Sequence, residues 1–299
     1  MGSTVTEDAL WPRASSWLVA DDSKADLGVF GVPAHKTSIS KTSAHKTPAA
    51  IRKALQRYST YNWTRRVDIR SITATDFGDV RSPDSPEGEA RTSAMAAEVA
   101  AKTKLAIALG GDNSVTFAAA RGTFGGDLSN AGLITLDAHH DLRDGISNGS
   151  PVRRLIEAGL NPRRIVQIGI ADFSNSPEYA QRAQDLGIHV VPRSELRKRS
   201  IEDIWAEALS IAGAGGAGIH VDFDVDVCDR SEVPACPAAV PGGISADELR
   251  QFAYLAGWSS LVKSIDITEI DATKDAPDDR TVRLAALLIL EAAAGLATR

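Results

Sequence analysis

The stretch Ala131-Gly-Leu-Ile-Thr-Leu-Asp-Ala-His-His-Asp-Leu-Arg-Asp144 decides the reading of this chain. Its first half, Gly132 to Leu136, is a short apolar, partly β-branched run bounded by glycine, the pattern of a buried strand. It leads straight into Asp137, His139 and Asp141. Three such side chains at a spacing of two, just past a strand end, can converge on one point. Carboxylate oxygens with an imidazole suit a divalent ion such as Mn²⁺.

A second stretch repeats the arrangement. Gly218-Ile-His-Val-Asp-Phe-Asp-Val-Asp226 reads as a strand with acidic alternate residues, so Asp222, Asp224 and Asp226 are expected on one face. Carboxylates crowded on a buried face repel one another unless a cation sits among them. Either run alone reads equally well as a solvated edge strand. Two of them in one chain, each following an apolar strand core, point to a metal site.

Around these stretches strands alternate with helices. Strands are expected at 27–32, 72–75, 105–109, 165–169, 188–191 and 261–267, and helices at 48–58, 88–102, from 114, from 151, and at 178–186, 201–212, 245–255 and 282–297. That alternation signals an α/β fold with a mostly parallel sheet. The polar motifs all follow strand ends, where ligands bind in open α/β sheets. Asn113, Asp137, His139, Asp141, Asp224 and Asp226 are therefore expected at one crevice.

The bulk numbers set limits. A chain of 299 residues without an evident linker suits a single domain spanning 1–299, with 1–25 as an irregular polar lead-in. Hydrophobic content of 43% is ample for a core, and a net charge of −6 argues against a nucleic-acid or anionic-membrane partner. No apolar run looks long enough to span a membrane, and Met1 to Asp8 lacks the order of a signal peptide. Cys228 and Cys236 form no CxxC motif, so reduced thiols and a cytoplasmic location are expected.

With these residues assembled, the chain resembles the arginase, agmatinase and formimidoylglutamase family of ureohydrolases. The resemblance rests on Gly110-Gly-Asp-Asn113, Asp137-Ala-His-His-Asp141, Asp224-Val-Asp-Val-Cys-Asp229 with Pro234 and Pro241-Gly-Gly243, and Asp266-Ile-Thr-Glu269. Gly31-Val-Pro33, Pro48 and Ile51-Arg52 fit as well, so the match spans roughly residues 27 to 296. It implies a three-layer α/β/α fold, a homo-oligomer and two Mn²⁺ ions per chain. Carried over by position, one ion takes Asn113, Asp137, Asp141 and Asp224, and the other takes Asp137, His139, Asp224 and Asp226. A hydroxide held between the metals would attack a planar amidine or guanidine carbon. Asp141 would accept a hydrogen bond from that hydroxide, and Glu269 would meet the amidinium of the substrate.

Two departures from the family pattern carry information. Asn113 stands where histidine is usual, and a neutral amide oxygen is a poorer donor than imidazole, so that ion is expected to be held weakly. Asn148, in Ser147-Asn-Gly-Ser-Pro151, stands near the position of the histidine proton shuttle of arginases and agmatinases. No other histidine replaces it obviously. His220 lies on the order of 13 Å from Asp224 at strand rise and reads as a core residue. His35 and His45 read as solvated loop residues, His140 as a packing residue, and His189 lies inside a strand.

The arginines point to an acidic substrate. Arg143 follows the metal motif, and Arg153 and Arg154 open the next helix. Guanidinium groups suit bidentate carboxylate recognition. Asp-Leu-Arg with Asn-Gly-Ser-Pro-Val-Arg looks more like formimidoylglutamases than arginases, so Arg143, Asn148, Arg153 and Glu269 are expected to bind the substrate. The expected reaction is metal-dependent hydrolysis of N-formimidoyl-L-glutamate to L-glutamate and formamide. The alternatives are a hydrolase of guanidinobutyrate, agmatine or arginine that releases urea, and a catalytically silent family member.

Overall fold

The computed structural model describes residues 8–21 and 23–299. Nine strands form one parallel sheet: β1 Leu18–Ala20, β2 Leu27–Val32, β5 Ala74–Asp79, β6 Leu105–Gly110, β7 Ala131–Leu136, β8 Ile165–Ile170, β9 His189–Pro192, β10 Gly218–Asp224 and β11 Val262–Thr268. Their order is β1-β5-β2-β6-β11-β10-β7-β8-β9. A separate antiparallel hairpin pairs β3 (Tyr61–Asn62) with β4 (Val67–Asp68).

Strands β2, β6, β7 and β8 are buried along their whole length. Such strands need apolar side chains on both faces, which explains their continuous rather than alternating hydrophobicity. One face packs against α1 (Ala14–Trp17), α2 (Thr47–Ala54), α7 (Ile201–Ala212), α8 (Ala246–Trp258) and α9 (Arg280–Thr298). The other meets α3 (Pro86–Lys102), α4 (Val115–Thr123), α5 (Pro151–Glu157) and α6 (Pro177–Leu186). This is the expected three-layer α/β/α arrangement. Phe223 and Phe252 in the first interface are fully buried, each contributing roughly 1.5–3 kcal/mol of transfer free energy.

Helix starts follow local chemistry. Ser85, Ser176 and Ser200 accept backbone N–H groups from Gly88, Tyr179 and Asp203, and Ser245 closes a capping box with Glu248.

Three expectations need correction. The lead-in is ordered where it is described: α1 and β1 lie within it, and β1 adds to the sheet edge beside β5. Trp17 Nε1 donates to Ile72 O at 2.9 Å, a tertiary anchor that local polarity conceals; residues 1–7 and 22 of that segment lie outside the described residues. Strand β10 stops at Asp224 and turns into a 3₁₀ turn at Val225–Val227. Asp226 therefore reaches the crevice through a turn rather than by strand alternation. Helix α9, with 19 residues, is long and apolar enough to cross a membrane, but 67% of its most apolar window is buried. A central core helix reads the same way by composition.

The chain builds β2, β5 and β6 on one side and β7, β8 and β9 on the other, then inserts β10 and β11 between β6 and β7. The direction of growth reverses there, and ligand crevices in open sheets form at that place.

Candidate metal centre and cleft

Four strand ends supply the site. After β6, Asn113 precedes α4; after β7 come Asp137, His139 and Asp141; Asp224 ends β10, and Asp226 lies in the turn behind it; Glu269 follows β11. Gly111 lets the β6 turn approach the loop after β2, since a Cβ there would lie 2.1 Å from Ala34 O. Asp141 (φ 53°) and Glu269 (φ 63°) both hold left-handed backbone conformations. Such conformations are costly for non-glycine residues and concentrate at functional sites.

The centre is a cluster of carboxylates around one imidazole. His139 Nδ1 lies 2.9 Å from Asp226 Oδ2 and 3.4 Å from Asp137 Oδ1. Asp137, Asp141, Asp224 and Asp226 are all buried. Backbone groups fix their angles: His139 N donates to Asp137 Oδ1 at 2.6 Å, Ala138 N to Asp226 Oδ1 at 3.0 Å, and Asp226 N to Asp224 Oδ1 at 2.9 Å.

The electrostatics are those of a cation site. Burial, then the Asp226 charge, pushes Asp137 up to about 7. Burial, reinforced by neighbouring carboxylates, holds Asp141 and Asp224 well above the usual carboxylate range. Burial works against a charged His139, but Asp226 and Asp137 override it and push the imidazole up to about 12. Burial also opposes charge on Asp226, and His139 reverses the balance and lowers it. Without a cation, protons relieve the crowding. Asp137 Oδ2 is buried with no hydrogen-bond partner. Asp137, His139 and Asp226 offer ligand atoms all within 4.8 Å of one another. The donor set of oxygens and one imidazole nitrogen fits Mn²⁺.

Asn113 sits at this cluster in a different posture. Its Nδ2 donates to Asp141 Oδ2 at 2.6 Å, and its Oδ1 accepts from the hydroxyls of Thr116 at 2.8 Å and Thr268 at 2.9 Å. The amide turns its nitrogen, not its oxygen, toward the carboxylates.

A cleft of about 300 Å³ opens over the cluster. His139, Asp141, Asp224, Asp226, Glu269, Arg143 and Asn148 line it, together with Ile39, Ser40, Ser174, Asn175, Ser176 and Tyr179. Burial, then the Asp112 charge, pushes Glu269 up to about 7. Its Oε1 accepts from Asn113 N at 2.8 Å and from Asn148 Nδ2 at 2.8 Å.

The arginines divide. Arg143 is exposed at the cleft, and its guanidinium has no ion pair or hydrogen bond among the described residues. Gly149 packs against its stem, where an added Cβ would lie 2.7 Å from Arg143 Cδ. Arg153 is placed elsewhere: its guanidinium holds Arg143 O at 2.7 Å, Gly145 O and Glu157 Oε1, so it braces the loop instead of facing the cleft. Arg154 pairs with Glu89 and covers the Phe117 ring.

The other histidines stay outside the cluster. Fully buried His220 contacts Ser264 Oγ at 2.6 Å and Asp266 Oδ2 at 3.0 Å. His35 lies against Asp84 and meets His45 at a tilt of 44°, with ring centroids 4.3 Å apart. His189 pairs with Glu207. His140 packs on Gln167, with Nδ1 2.7 Å from Oε1. Sequence reasoning missed Thr116 and Thr268, which hold Asn113, and Ser174, Asn175, Ser176 and Tyr179, which wall the cleft. A threonine in an apolar helix or strand and a serine-rich loop carry no distinctive signal.

The model of the arginase family matches residues 25–295. The chain belongs to the arginase family. Among its curated relatives, a formimidoylglutamase of Halalkalibacterium halodurans is 36% identical over 273 residues, covering 88% of this chain and 85% of the relative. The crystal structure of formimidoylglutamase from Bacillus subtilis superposes with a TM-score of 0.91 at 28% identity, covering 99% of this chain and 95% of that one. Trypanosoma cruzi formiminoglutamase with Mn2+2 superposes with a TM-score of 0.86 at 28% identity, covering 97% and 99%.

Proposed function

We propose that this protein hydrolyses N-formimidoyl-L-glutamate to L-glutamate and formamide, using two Mn²⁺ ions. Asp137, His139, Asp224 and Asp226 would hold one ion, and Asn113, Asp137, Asp141 and Asp224 the other. When bound, the ions supply a water activated near neutral pH and a positive field over the cleft.

The remaining tasks fall to the chain. Glu269 spends Oε1 on two N–H donors, which leaves Oε2 for the amidinium nitrogen of the substrate. Asp141, which lines the cleft, would hold a proton passing to the departing amine. Water adds its oxygen to the formimino carbon, the bond from that carbon to the glutamate nitrogen breaks, and the nitrogen leaves protonated. Arg143 supplies a charge for a substrate carboxylate.

The observation that carries this reading is the Arg143 guanidinium, unpaired among the described residues, in the cleft that holds the carboxylate cluster and Glu269. Agmatine places only a cation, and arginine an ammonium beside its carboxylate, where a dicarboxylate places net negative charge, and Arg143 favours the last. A formimino carbon also has fewer donating nitrogens than a guanidine carbon, so its hydrolysis depends less on a histidine shuttle, consistent with Asn148. The two free, buried cysteines support a reducing, cytoplasmic compartment. Product analysis with formimidoylglutamate tests the reading: formamide and glutamate support it, and no turnover by Mn²⁺-loaded protein overturns it.

A further inference from the structure

Asn148 commits both ends of its side-chain amide to the protein. Its Nδ2 donates to Glu269 Oε1 at 2.8 Å, its Oδ1 accepts from Ile39 N at 3.0 Å, and its backbone N donates to Thr37 O at 3.2 Å. The loop that carries it is tied in turn: Ser147 N donates to Ser150 Oγ at 2.9 Å, and Arg143 N donates to Gly149 O at 3.0 Å.

We propose that Asn148 is a positioning residue that locks Glu269 and the Ile39–Ser40 wall of the cleft into one arrangement. The proposal rests on the reading that Glu269 meets the substrate's amidinium.

The chemistry of the side chain carries it. Glu269 Oε1 needs a donor, and Ile39 N needs an acceptor. An amide presents both on one carbon. A carboxylate of the same shape offers only acceptors and would repel Glu269, whereas a hydrocarbon offers neither. With Asn148 and Asn113 N both on Oε1, Glu269 has one free oxygen and one orientation.

The second consequence concerns the wall. Ile39 is 58% exposed although it is a large apolar residue, so packing alone does not hold it at the cleft. The hydrogen bond from its N–H to Asn148 does. One amide thus couples the width of the cleft to the direction of the carboxylate within it, which makes Asn148 a determinant of substrate position.

The test is a double-mutant cycle on kcat/KM with Asn148→Asp and Glu269→Gln, alone and together, in Mn²⁺-loaded protein. Asn148→Asp should lower kcat/KM about 100-fold in the wild-type background, through loss of a charge-assisted hydrogen bond and gain of like charge. In the Glu269→Gln background the same change should cost less than about 3-fold, because a glutamine at 269 can donate to the new carboxylate. Asn148→Ser, which keeps a single hydroxyl, should fall between, with an unaltered Mn²⁺ stoichiometry and unfolding midpoint. An equal loss from Asn148→Asp in both backgrounds would overturn the proposal, as would wild-type kinetics in both Asn148 variants. The cycle is run with whichever of formimidoylglutamate, arginine, agmatine and guanidinobutyrate the wild-type protein hydrolyses. A wrong substrate assignment is then seen separately from a wrong role for Asn148.

Discussion

Asn113 and Asp141 are joined by a short hydrogen bond, Nδ2 to Oδ2 at 2.6 Å, with the Asn113 oxygen occupied by the hydroxyls of Thr116 and Thr268. A hydroxyl can donate or accept, so the two threonines tolerate either end of the amide. Asp141 does not, since an amide oxygen facing its carboxylate is repelled unless a cation lies between them. Asn113 can therefore ligate an ion only by turning its amide over, at the expense of its bond to Asp141. Imidazole has no such bond to give up. Asn113→His should tighten the weaker Mn²⁺ by about 10- to 100-fold, the scale on which partners of a metal ligand act. Calorimetric titration with Mn²⁺ checks this, and unchanged affinity at both sites argues that Asn113 is no ligand.

Asp224→Asn keeps the oxygen that accepts from Asp226 N but removes a charge shared by both proposed ions. Turnover should fall at least about 1,000-fold, as expected when a metal's supply of activated water is lost. Metal-free protein should respond in the opposite sense. With one carboxyl fewer to charge or protonate among crowded neighbours, its unfolding midpoint should rise by a few degrees, about 1 kcal/mol for a chain of this size. A lower midpoint in the metal-free variant would show that the cluster is not under electrostatic stress.

The pH dependence follows from the same crowding. Burial with Asp226 raises Asp137 from 3.8 to about 7, and burial with Asp112 raises Glu269 from 4.5 to about 7. A carboxyl with a raised folded pKa contributes stability that is complete below its unfolded value and lost as pH rises through the folded one. Metal-free protein should therefore lose stability between about pH 4.5 and 7.5. His139, raised from 6.5 to about 12, adds a decline that continues above neutrality. Ligands must shed protons to bind an ion, so Mn²⁺ affinity should climb over the same window. Thermal unfolding with and without Mn²⁺ across that range checks both trends, and pH-independent affinity counts against the assigned ligands.

Arg143→Met should raise KM for formimidoylglutamate about 10- to 100-fold, the worth of a hydrogen-bonded charge pair, without altering Mn²⁺ stoichiometry. A neutral amidine lacking carboxylates should be hydrolysed equally well by both proteins. An unchanged KM for the dicarboxylate would remove Arg143 from recognition.

How far the sequence could be read follows from where each residue's information lies. Strands such as Leu105–Gly110 and Ala131–Leu136 announce themselves because burial on both faces demands an unbroken apolar run. Asp137, His139 and Asp141 are legible because their spacing is local. Asp226 reaches the same crevice, but through a turn after Asp224, which strand periodicity alone does not disclose. Arg153 looks like a substrate residue by its place in the chain, yet its carbonyl partners at 143 and 145 exist only once the loop has folded. The posture of Asn113 depends on Thr268, 155 residues away, and the tie of Asn148 to Glu269 spans 121. Contacts at such separations leave no trace in composition or spacing.

The most direct measurement is product analysis after incubating Mn²⁺-loaded protein with a mixture of formimidoylglutamate, arginine, agmatine and guanidinobutyrate. The cleft described here predicts formamide and glutamate in equal amounts and no urea. Urea from any of the guanidines, with formimidoylglutamate left intact, would contradict it.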